Sequence, residues 1–325
     1  MTASDHTRAA DGLLFASELT RGFGTDLRPR GLIRAGRLYR VARGQYIDAT
    51  AWANLTADDR YVVRVAGAAR ARSASMVVSH QSAAALWGLP LLDGRTADVH
   101  FTIERASGGR SDPGIRKHAV GIDAEDVVTL DGLLVTSIAR TVVDIAATLD
   151  LTAAVVVADR ALHLDRFGHE APLATREELF GVIERSLPLR GSVRARAVIA
   201  FGTHLSGSPG ESASRVNIAL NGFPEPVLQQ TFTIDGREYD TDFYWREQDA
   251  IGESDGRGKY FEARYRRGRS PEDVHFAEKT REDALRRKVR AFTRWDFQTG
   301  MSQQRLRRRL LELDLPVGRP RLLRH

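Results

Sequence analysis

Residues 225–245 read EPVLQQTFTIDGREYDTDFYW, a pattern that predicts a β-hairpin in the C-terminal part of the chain. Strand-forming residues lie on both sides of Asp235-Gly236, a dipeptide that favours the tight turn of a β-hairpin. A third strand-like run, DAIGESDG, follows at 249–256. Helical segments precede and follow the strands, GESASRVNIALNGF at 210–223 and FAEKTREDALRRKVRAF at 276–292. The order helix, strand meander, helix predicts an α/β domain over residues 201–325.

Details of this domain follow from its apolar residues. In the last helical segment we expect Phe276, Leu285, Val289 and Phe292 to be buried, because they are its large apolar residues. The closing strand, around AFTRWDF, is predicted to be short. The strand that leads to Glu253 has fewer β-branched residues than a buried central strand usually has.

The first fifty residues predict a winged helix-turn-helix. A helix is expected over 13–21, a turn at 22–24, a second helix from Asp26 to about Gly36, and a hairpin around Ala42-Arg43-Gly44. Seven arginines and a single acidic residue lie between Arg21 and Arg43. Six of these side chains are predicted to bind DNA: Arg28, Arg30, Arg34, Arg37, Arg40 and Arg43. The alternative is a small solubilising module with an arginine-rich surface.

Residues 51–200 predict a mixed α+β domain. MVVSHQSAAALWGLPLL reads as a strand and a short helix, DVHFTI and GIRKHAV as strands, and Asp131-Gly132 as a turn before a helix capped at Thr136 or Ser137. Arg140 and Asp144 lie one helical turn apart, so we expect a structural ion pair. His80, His100 and His118 lie on different predicted elements without metal-ligand spacing, which favours structural or hydrogen-bonding roles.

Composition sets further limits on the 325-residue chain. Cysteine is absent, which excludes disulfides, zinc ribbons and thiol catalysis and favours a cytoplasmic location. No apolar run reaches the roughly 18 residues of a membrane span, and Asp5, Asp11 and Glu18 argue against a signal peptide. The net charge of +6 is uneven: residues 1–50 and 276–325 are basic, while 51–275 are acidic overall. Positive ends suit a polyanionic partner such as double-stranded DNA.

Several motifs resemble known families. SPGESASR, DTDFYW, ESDGRGKY and EKTREDALR are similar to the C-terminal domain of very-short-patch-repair-like endonucleases, which belong to the PD-(D/E)XK, or restriction-endonuclease-like, superfamily. GLIRAGRLYRVARGQYI, VSHQSAAALWGLPL and LDGLLVTSIARTVVDIA resemble AbiEi-type antitoxins, the transcription-repressing partners of type IV toxin–antitoxin systems. Together these resemblances imply a multidomain α+β and α/β protein: a winged helix-turn-helix over 1–50, an antitoxin-like domain over 51–200 and a restriction-endonuclease-like core over 201–325.

The nuclease resemblance implies a catalytic site. Asp242 and Glu253, on consecutive strands, would be metal ligands, and Glu211 on the preceding helix would complete a site for Mg²⁺ or Mn²⁺. Asp255 stands where the motif has lysine and would be a further ligand or a hydrogen-bond acceptor. Lys259, or Lys279, would supply the missing positive charge. A nuclease fold without activity and a simple exposed turn at 251–260 are the alternatives.

Two functional hypotheses follow. One is a DNA-binding regulator of the antitoxin type whose nuclease-like domain is inactive. The other is a Mg²⁺-dependent DNA endonuclease directed by its N-terminal reader. A weaker third hypothesis is a protein that neutralises a toxin through residues 51–200. The terminal arginines fit the first two equally, because phosphate contacts supply affinity with or without cleavage.

Overall fold

The structure is a computed structural model in which the chain forms two compact units. It describes residues 7–22, 29–72, 76–92, 98–104, 111–165, 171–255 and 271–321, with the backbone alone for 20–22 and 271–275. The first unit contains residues 1–149 and 174–199, and the second contains 150–173 and 200–325. The mixed α+β character predicted from the sequence is confirmed. The division into three domains stays a prediction.

A small antiparallel sheet begins the first unit. Its strands are β1 (Leu14–Phe15), β2 (Leu38–Ala42) and β3 (Gln45–Asp48), in the order β1-β3-β2. The predicted hairpin is confirmed, with Gly44 at a positive φ of 75°. Short helices accompany the sheet: α1 (Ala16–Gly22), α2 (Pro29–Arg34) and α3 (Ala49–Asn54).

The start of this region differs from the prediction of a helix over 13–21. Leu14 and Phe15 pair with Tyr46 and Gln45 as a third strand, and the helix begins only at Ala16. Leu13 packs against Ile47 and Val63 in a small apolar core. Pairing with a strand some thirty residues away therefore outweighs local helix propensity here.

A five-stranded mixed sheet forms the larger part of the first unit. Its order is β6-β5-β4-β8-β7, where the pairs β4/β8 and β5/β6 are parallel and β4/β5 and β7/β8 are antiparallel. The strands are β4 (Val77–Val78), β5 (Val99–Thr102), β6 (Ile115–His118), β7 (Val127–Leu130) and β8 (Leu133–Thr136). The accompanying helices are α4 (Ala57–Arg70), α5 (His80–Leu86), α6 (Ile138–Thr148), α8 (Arg176–Arg185) and α9 (Ser192–Phe201).

The turn and helix predicted at 130–149 are confirmed. Asp131 and Gly132 have φ values of 47° and 76° between β7 and β8. The Ser137 hydroxyl accepts a hydrogen bond from the backbone N–H of Arg140, so Ser137 caps α6. The Arg140 guanidinium donates to the Asp144 carboxylate at 2.8 Å, which confirms the predicted ion pair.

The second unit is built on a four-stranded sheet of order β12-β11-β10-β9. The strands are β9 (Val227–Ile234), β10 (Arg237–Trp245), β11 (Ala250–Asp255) and β12 (Ala291–Asp296). The first three are antiparallel neighbours, whereas β11 and β12 are parallel. The helices are α7 (Leu151–Leu162), α10 (Pro209–Leu220), α11 (Pro271–Lys288), α12 (Phe297–Gly300) and α13 (Gln303–Leu311).

Both faces of this sheet are covered. Phe243, Trp245 and Trp295 lie on the face that packs against Ile218 of α10 and Leu306 and Leu310 of α13. Tyr244, Ile251 and Phe292 lie on the opposite face, against Leu285 of α11 and Val289. Because side chains alternate along a strand, these contacts decide which residues of β10 and β11 face α11.

Two predictions for the end of this unit are wrong. Phe276 is 73% exposed, whereas Leu285 and Val289 are buried as predicted and Phe292 is partly buried. The closing strand is not short, because β12 pairs with β11 in parallel over six residues, from Ala291 to Asp296. Parallel pairing with the buried strand β11 supplies backbone hydrogen bonds along β12. The few apolar residues in the sequence of β12 did not indicate these hydrogen bonds.

Gly252 explains the unusual sequence of β11. A Cβ atom at this position would lie 2.6 Å from the Trp295 ring and 3.1 Å from the Trp245 ring. The two indole rings therefore occupy the space that a side chain at position 252 would need, and a β-branched residue would not fit there.

We expect Gly252→Ala to destabilise the second unit by about 1–3 kcal/mol, the usual cost of overpacking a core. Urea unfolding followed by tryptophan fluorescence measures this difference. Gly236→Ala, at the exposed hairpin with open space around it but a φ of 73°, separates backbone strain from overpacking. An unchanged unfolding midpoint for Gly252→Ala would show that the indoles move aside freely.

Candidate functional site

The predicted carboxylates lie at one end of the four-stranded sheet. Phe243 pairs with Gly252, so the antiparallel register places Asp242 opposite Glu253 on the face towards α11. The Asp242 carboxylate accepts a hydrogen bond from the Ser254 backbone N–H at 2.8 Å. Glu253 is only 3% exposed, whereas Asp242 is half-buried. Two of the predicted ligands are therefore cross-strand neighbours.

Glu211 reaches the same region from the helix on the other face. It lies in the first turn of α10, where it accepts hydrogen bonds from the Ser208 hydroxyl at 2.8 Å and the Gly207 backbone N–H at 2.9 Å. The Gln229 amide also donates to it, at 3.2 Å. The register of β9 and β10 pairs Gln230 with Thr241 and Leu228 with Phe243, and Gln229 stands between these pairs with a positive φ of 51°.

Burial raises the pKa of both Glu211 and Asp242. Loss of hydration is the largest cause for Asp242, and the negative charge of Glu211 is the next, so the pKa of Asp242 lies well above its ordinary value. Burial also raises the pKa of Glu211, although the hydrogen bonds from Gly207 and Ser208 oppose this. Glu211 and Asp242 are thus two acids whose charges disfavour each other.

Glu253 has a different environment, because two arginines bind it. Arg281 on α11 donates hydrogen bonds to both carboxylate oxygens of Glu253. Its Nη1 lies 3.0 Å from Oε2, and its Nη2 donates to Oε1. Arg294, the neighbour of Glu253 across the parallel register of β11 and β12, donates to Oε2 at 3.2 Å. Burial opposes the charged form of Arg281, but the hydrogen bonds and charge of Glu253 raise the pKa of Arg281 above its ordinary value.

Arg294 connects Glu253 to three other acids. It forms ion pairs with the exposed Asp255 at 2.8 Å and with Glu282 at 3.1 Å, and a further pair with Glu278. Burial raises the pKa of Asp255, while the charge of Arg294 lowers it. Asp255 is thus the partner of Arg294 in an ion pair.

This arrangement does not fit a three-carboxylate metal site. A small divalent cation binds oxygen ligands at about 2.0–2.1 Å and would need Glu253 oxygens that guanidinium groups already hold. In the described parts of the chain, no group of three or more His, Asp or Glu side chains is arranged to hold a metal ion. Lys259 lies outside the described residues, and Lys279 is exposed on α11.

The predicted DNA-binding arginines are on the surface of the first unit. Arg30 and Arg34 are exposed on α2, Arg37 is exposed between α2 and β2, and Arg40 and Arg43 are exposed on the hairpin. None of these five side chains pairs with a carboxylate of the described residues. The sixth, Arg28, lies outside the part of the chain that the structure describes. The exposed aromatic ring of Tyr39 stacks on Trp52 beside them, with ring centroids 4.5 Å apart.

His80, at the start of α5 just after β4, forms a cluster with His100 of β5 and His118 of β6. The rings of His80 and His118 stack with centroids 3.6 Å apart, and His100 Nδ1 lies 3.0 Å from His118 Nε2. His80 Nδ1 is 3.8 Å from an Asp144 oxygen. β4, β5 and β6 are adjacent in the sheet, which brings together residues that are about twenty positions apart. This cluster could have been predicted only with knowledge of the order of the strands in the sheet.

The three histidines are strongly disfavoured as cations. Burial, and then the charges of His100 and Arg140, lower the pKa of His80 to about 3. Burial and the charge of His118 lower the pKa of His100 to about 4. Burial and the charge of His80 lower the pKa of His118 to about 4, although Asp144 opposes this. His80 also has a φ of 52°, a conformation that costs a residue with a side chain on the order of 1–3 kcal/mol.

Neither a protein-family model nor a curated protein matches this chain. Among the described residues, no helix is long and apolar enough to cross a membrane.

Proposed function

We propose that the protein is a DNA-binding transcriptional regulator of the antitoxin type that acts in the cytoplasm. In this proposal residues 1–50 form a winged helix-turn-helix, 51–200 an antitoxin-like domain, and 201–325 a restriction-endonuclease-like domain that does not cut DNA. The observation that carries the proposal is the group of exposed arginines on α2 and its hairpin, which have no acidic partner among the described residues.

Their arrangement suits a double-stranded DNA partner. In a winged helix-turn-helix the second helix enters the major groove, and here that helix would be α2 with Arg30 and Arg34. Arg40 and Arg43 on the hairpin would then contact phosphates, which position the protein without reading sequence. A toxin protein as a second partner is proposed from the antitoxin resemblance alone.

The absence of cleavage in this proposal rests on the environment of Glu253. Hydrolysis of a phosphodiester by a nuclease of this type needs a cation at the carboxylates, and two guanidinium groups hold Glu253. A Mg²⁺- or Mn²⁺-dependent endonuclease is the second candidate function. It is favoured by the raised pKa of Asp242 beside Glu211, because a bound cation would relieve the repulsion of these acids.

Replacing Arg30, Arg34 and Arg37 together with alanine is expected to weaken binding to duplex DNA. If each contacts one phosphate, the slope of log K against log salt concentration should fall in magnitude by about 2.7. Fluorescence anisotropy of a labelled duplex over a range of salt concentrations measures this slope. An unchanged slope would show that α2 and its flank do not bind DNA.

The matched control removes the same charge elsewhere. Arg237, Arg246 and Arg287 are exposed in the second unit, and their joint replacement by alanine should leave the slope nearly as it is in the wild type.

Incubation with supercoiled plasmid and Mg²⁺ or Mn²⁺ separates the two candidate functions. Nicking by the wild type that Glu253→Ala abolishes would favour the endonuclease.

A further inference from the structure

We propose that Arg281 and Arg294 are the resident cations of the carboxylate cluster and occupy the position of a divalent metal ion. The wild-type cluster is then balanced without metal, and replacing both arginines uncovers a divalent-cation site at Glu253 and Asp242. This inference rests on the non-cleaving part of the proposed function, but its test is independent of DNA binding.

The contacts of Arg281 show how its guanidinium group takes the place of a bound metal ion. Its guanidinium meets both oxygens of Glu253 and also donates to the Asp240 backbone carbonyl at 2.6 Å. A planar guanidinium matched to a carboxylate in this bidentate manner is the strong form of an ion pair. Arg281 is therefore held by both oxygens of Glu253, the carbonyl oxygen of Asp240 and a carboxylate oxygen of Glu278, and its side chain is 22% exposed.

Arg294 closes the same site from the neighbouring strand. The parallel register places it beside Glu253, and its nitrogens lie 3.2 Å from Glu253, 2.8 Å from Asp255 and 3.1 Å from Glu282. Glu278 bridges the two arginines, because it pairs with both. The two guanidinium groups thus form one network with the acids around Glu253.

The charges explain why the arginines and a metal exclude each other. A divalent ion at Glu253 would share its oxygens with two fixed positive charges, and like charges in a half-buried site repel. Without either cation, however, Glu253 would be a buried carboxylate with no partner, which proteins rarely tolerate. One kind of cation is therefore required, and in this chain the side chains supply it.

The experiment compares Mn²⁺ binding and thermal unfolding in the full-length protein. The wild type should show no rise in Tm with millimolar Mg²⁺ or Mn²⁺. Arg281→Gln combined with Arg294→Gln should lower Tm without metal and raise the Mn²⁺ affinity by about tenfold or more, the scale on which neighbours of a metal ligand act. In this variant Tm should also rise with Mn²⁺ concentration.

Arg286→Gln is the control on the same helix, and it removes one of the two charges that the double variant removes. Arg286 lies on the same helix, pairs with Glu282 at 2.7 Å and carries the same charge, but it has no described contact with Glu253. This variant should behave like the wild type towards Mn²⁺. Equal gains of affinity in Arg286→Gln and in the double variant would overturn the proposal, since loss of charge alone would then explain them.

A second variant keeps the proposal testable if the double variant does not fold. Glu253→Gln leaves two arginines without their central partner, so Tm should fall by the same amount with and without Mg²⁺. If instead the wild type gains stability from Mg²⁺ and Asp242→Asn or Glu253→Gln removes that gain, the cluster binds metal and the proposal is overturned. DNA binding through α2 is unaffected by either outcome.

Discussion

Replacing Arg140 with alanine is expected to destabilise the first unit by about 3–5 kcal/mol, the usual cost of breaking a buried ion pair. The Arg140 side chain is 3% exposed and binds Asp144 at 2.8 Å and Asp126 at 3.3 Å. Both carboxylates are almost completely buried, so the variant leaves two negative charges short of a partner. Arg185 still holds Asp126, at 2.5 Å, and the larger part of the loss should come from Asp144.

Urea unfolding followed by circular dichroism measures this loss. The control is Arg116→Ala, which breaks an exposed pair with Asp98 at 3.3 Å and should cost less than about 1 kcal/mol. Arg140→Ala is also assayed for DNA binding. Unchanged stability together with lost DNA binding would show that Arg140 is a binding residue and not a structural one.

Lowering the pH from 7 to 5 is expected to destabilise the first unit by several kcal/mol. The unfolded histidines bind protons near pH 6.5, whereas His80, His100 and His118 in the folded unit have pKa values of about 3, 4 and 4. Their contribution to stability is therefore complete above pH 6.5 and is lost as the pH falls towards 4. At pH 5 each fully buried histidine costs up to about 2 kcal/mol. His118 is partly exposed and contributes less, because water screens its charge.

The charged groups around the cluster support the same direction. Arg116 on β6 and Arg140 on α6 disfavour protonation, while Asp98 beside β5 and Asp144 on α6 favour it only in part. Each of the variants His80→Gln and His100→Gln should reduce the slope of unfolding free energy against pH between 5 and 6.5 by up to about 1.4 kcal/mol per pH unit. His204→Gln, an exposed position in the second unit, is the control. Equal slopes in wild type and both variants would show that other groups cause the acid sensitivity.

The turns and helix ends of this protein could be predicted from its sequence. Asp131-Gly132 and Asp235-Gly236 both take positive φ values, and Gly44 does the same in the first hairpin. Ser137 caps α6, and Glu211 lies in the first turn of α10 as expected. These features depend on residues within one turn of each other, so the local sequence contains the forces that produce them.

Pairings between distant segments could not be predicted from the sequence. Leu14 and Phe15 look helical until β3 offers them hydrogen-bond partners. The small residues of β11 look unfavourable for a central strand until the rings of Trp245 and Trp295 are seen to lie over Gly252. In each case the deciding neighbour is distant in the chain.

The candidate site divides in the same way. Asp242 and Glu253 were expected on consecutive strands, and the register of β10 and β11 places them opposite each other. The sequence contained no sign that Arg281 and Arg294 would hold Glu253, or that three histidines about twenty residues apart would stack. Which charges are compensated depends on the order of the strands and on the helix that covers them. The sequence thus predicts which strands carry the acids, whereas the fold sets which cations they meet, because electrostatic partners are chosen by distance in space and not along the chain.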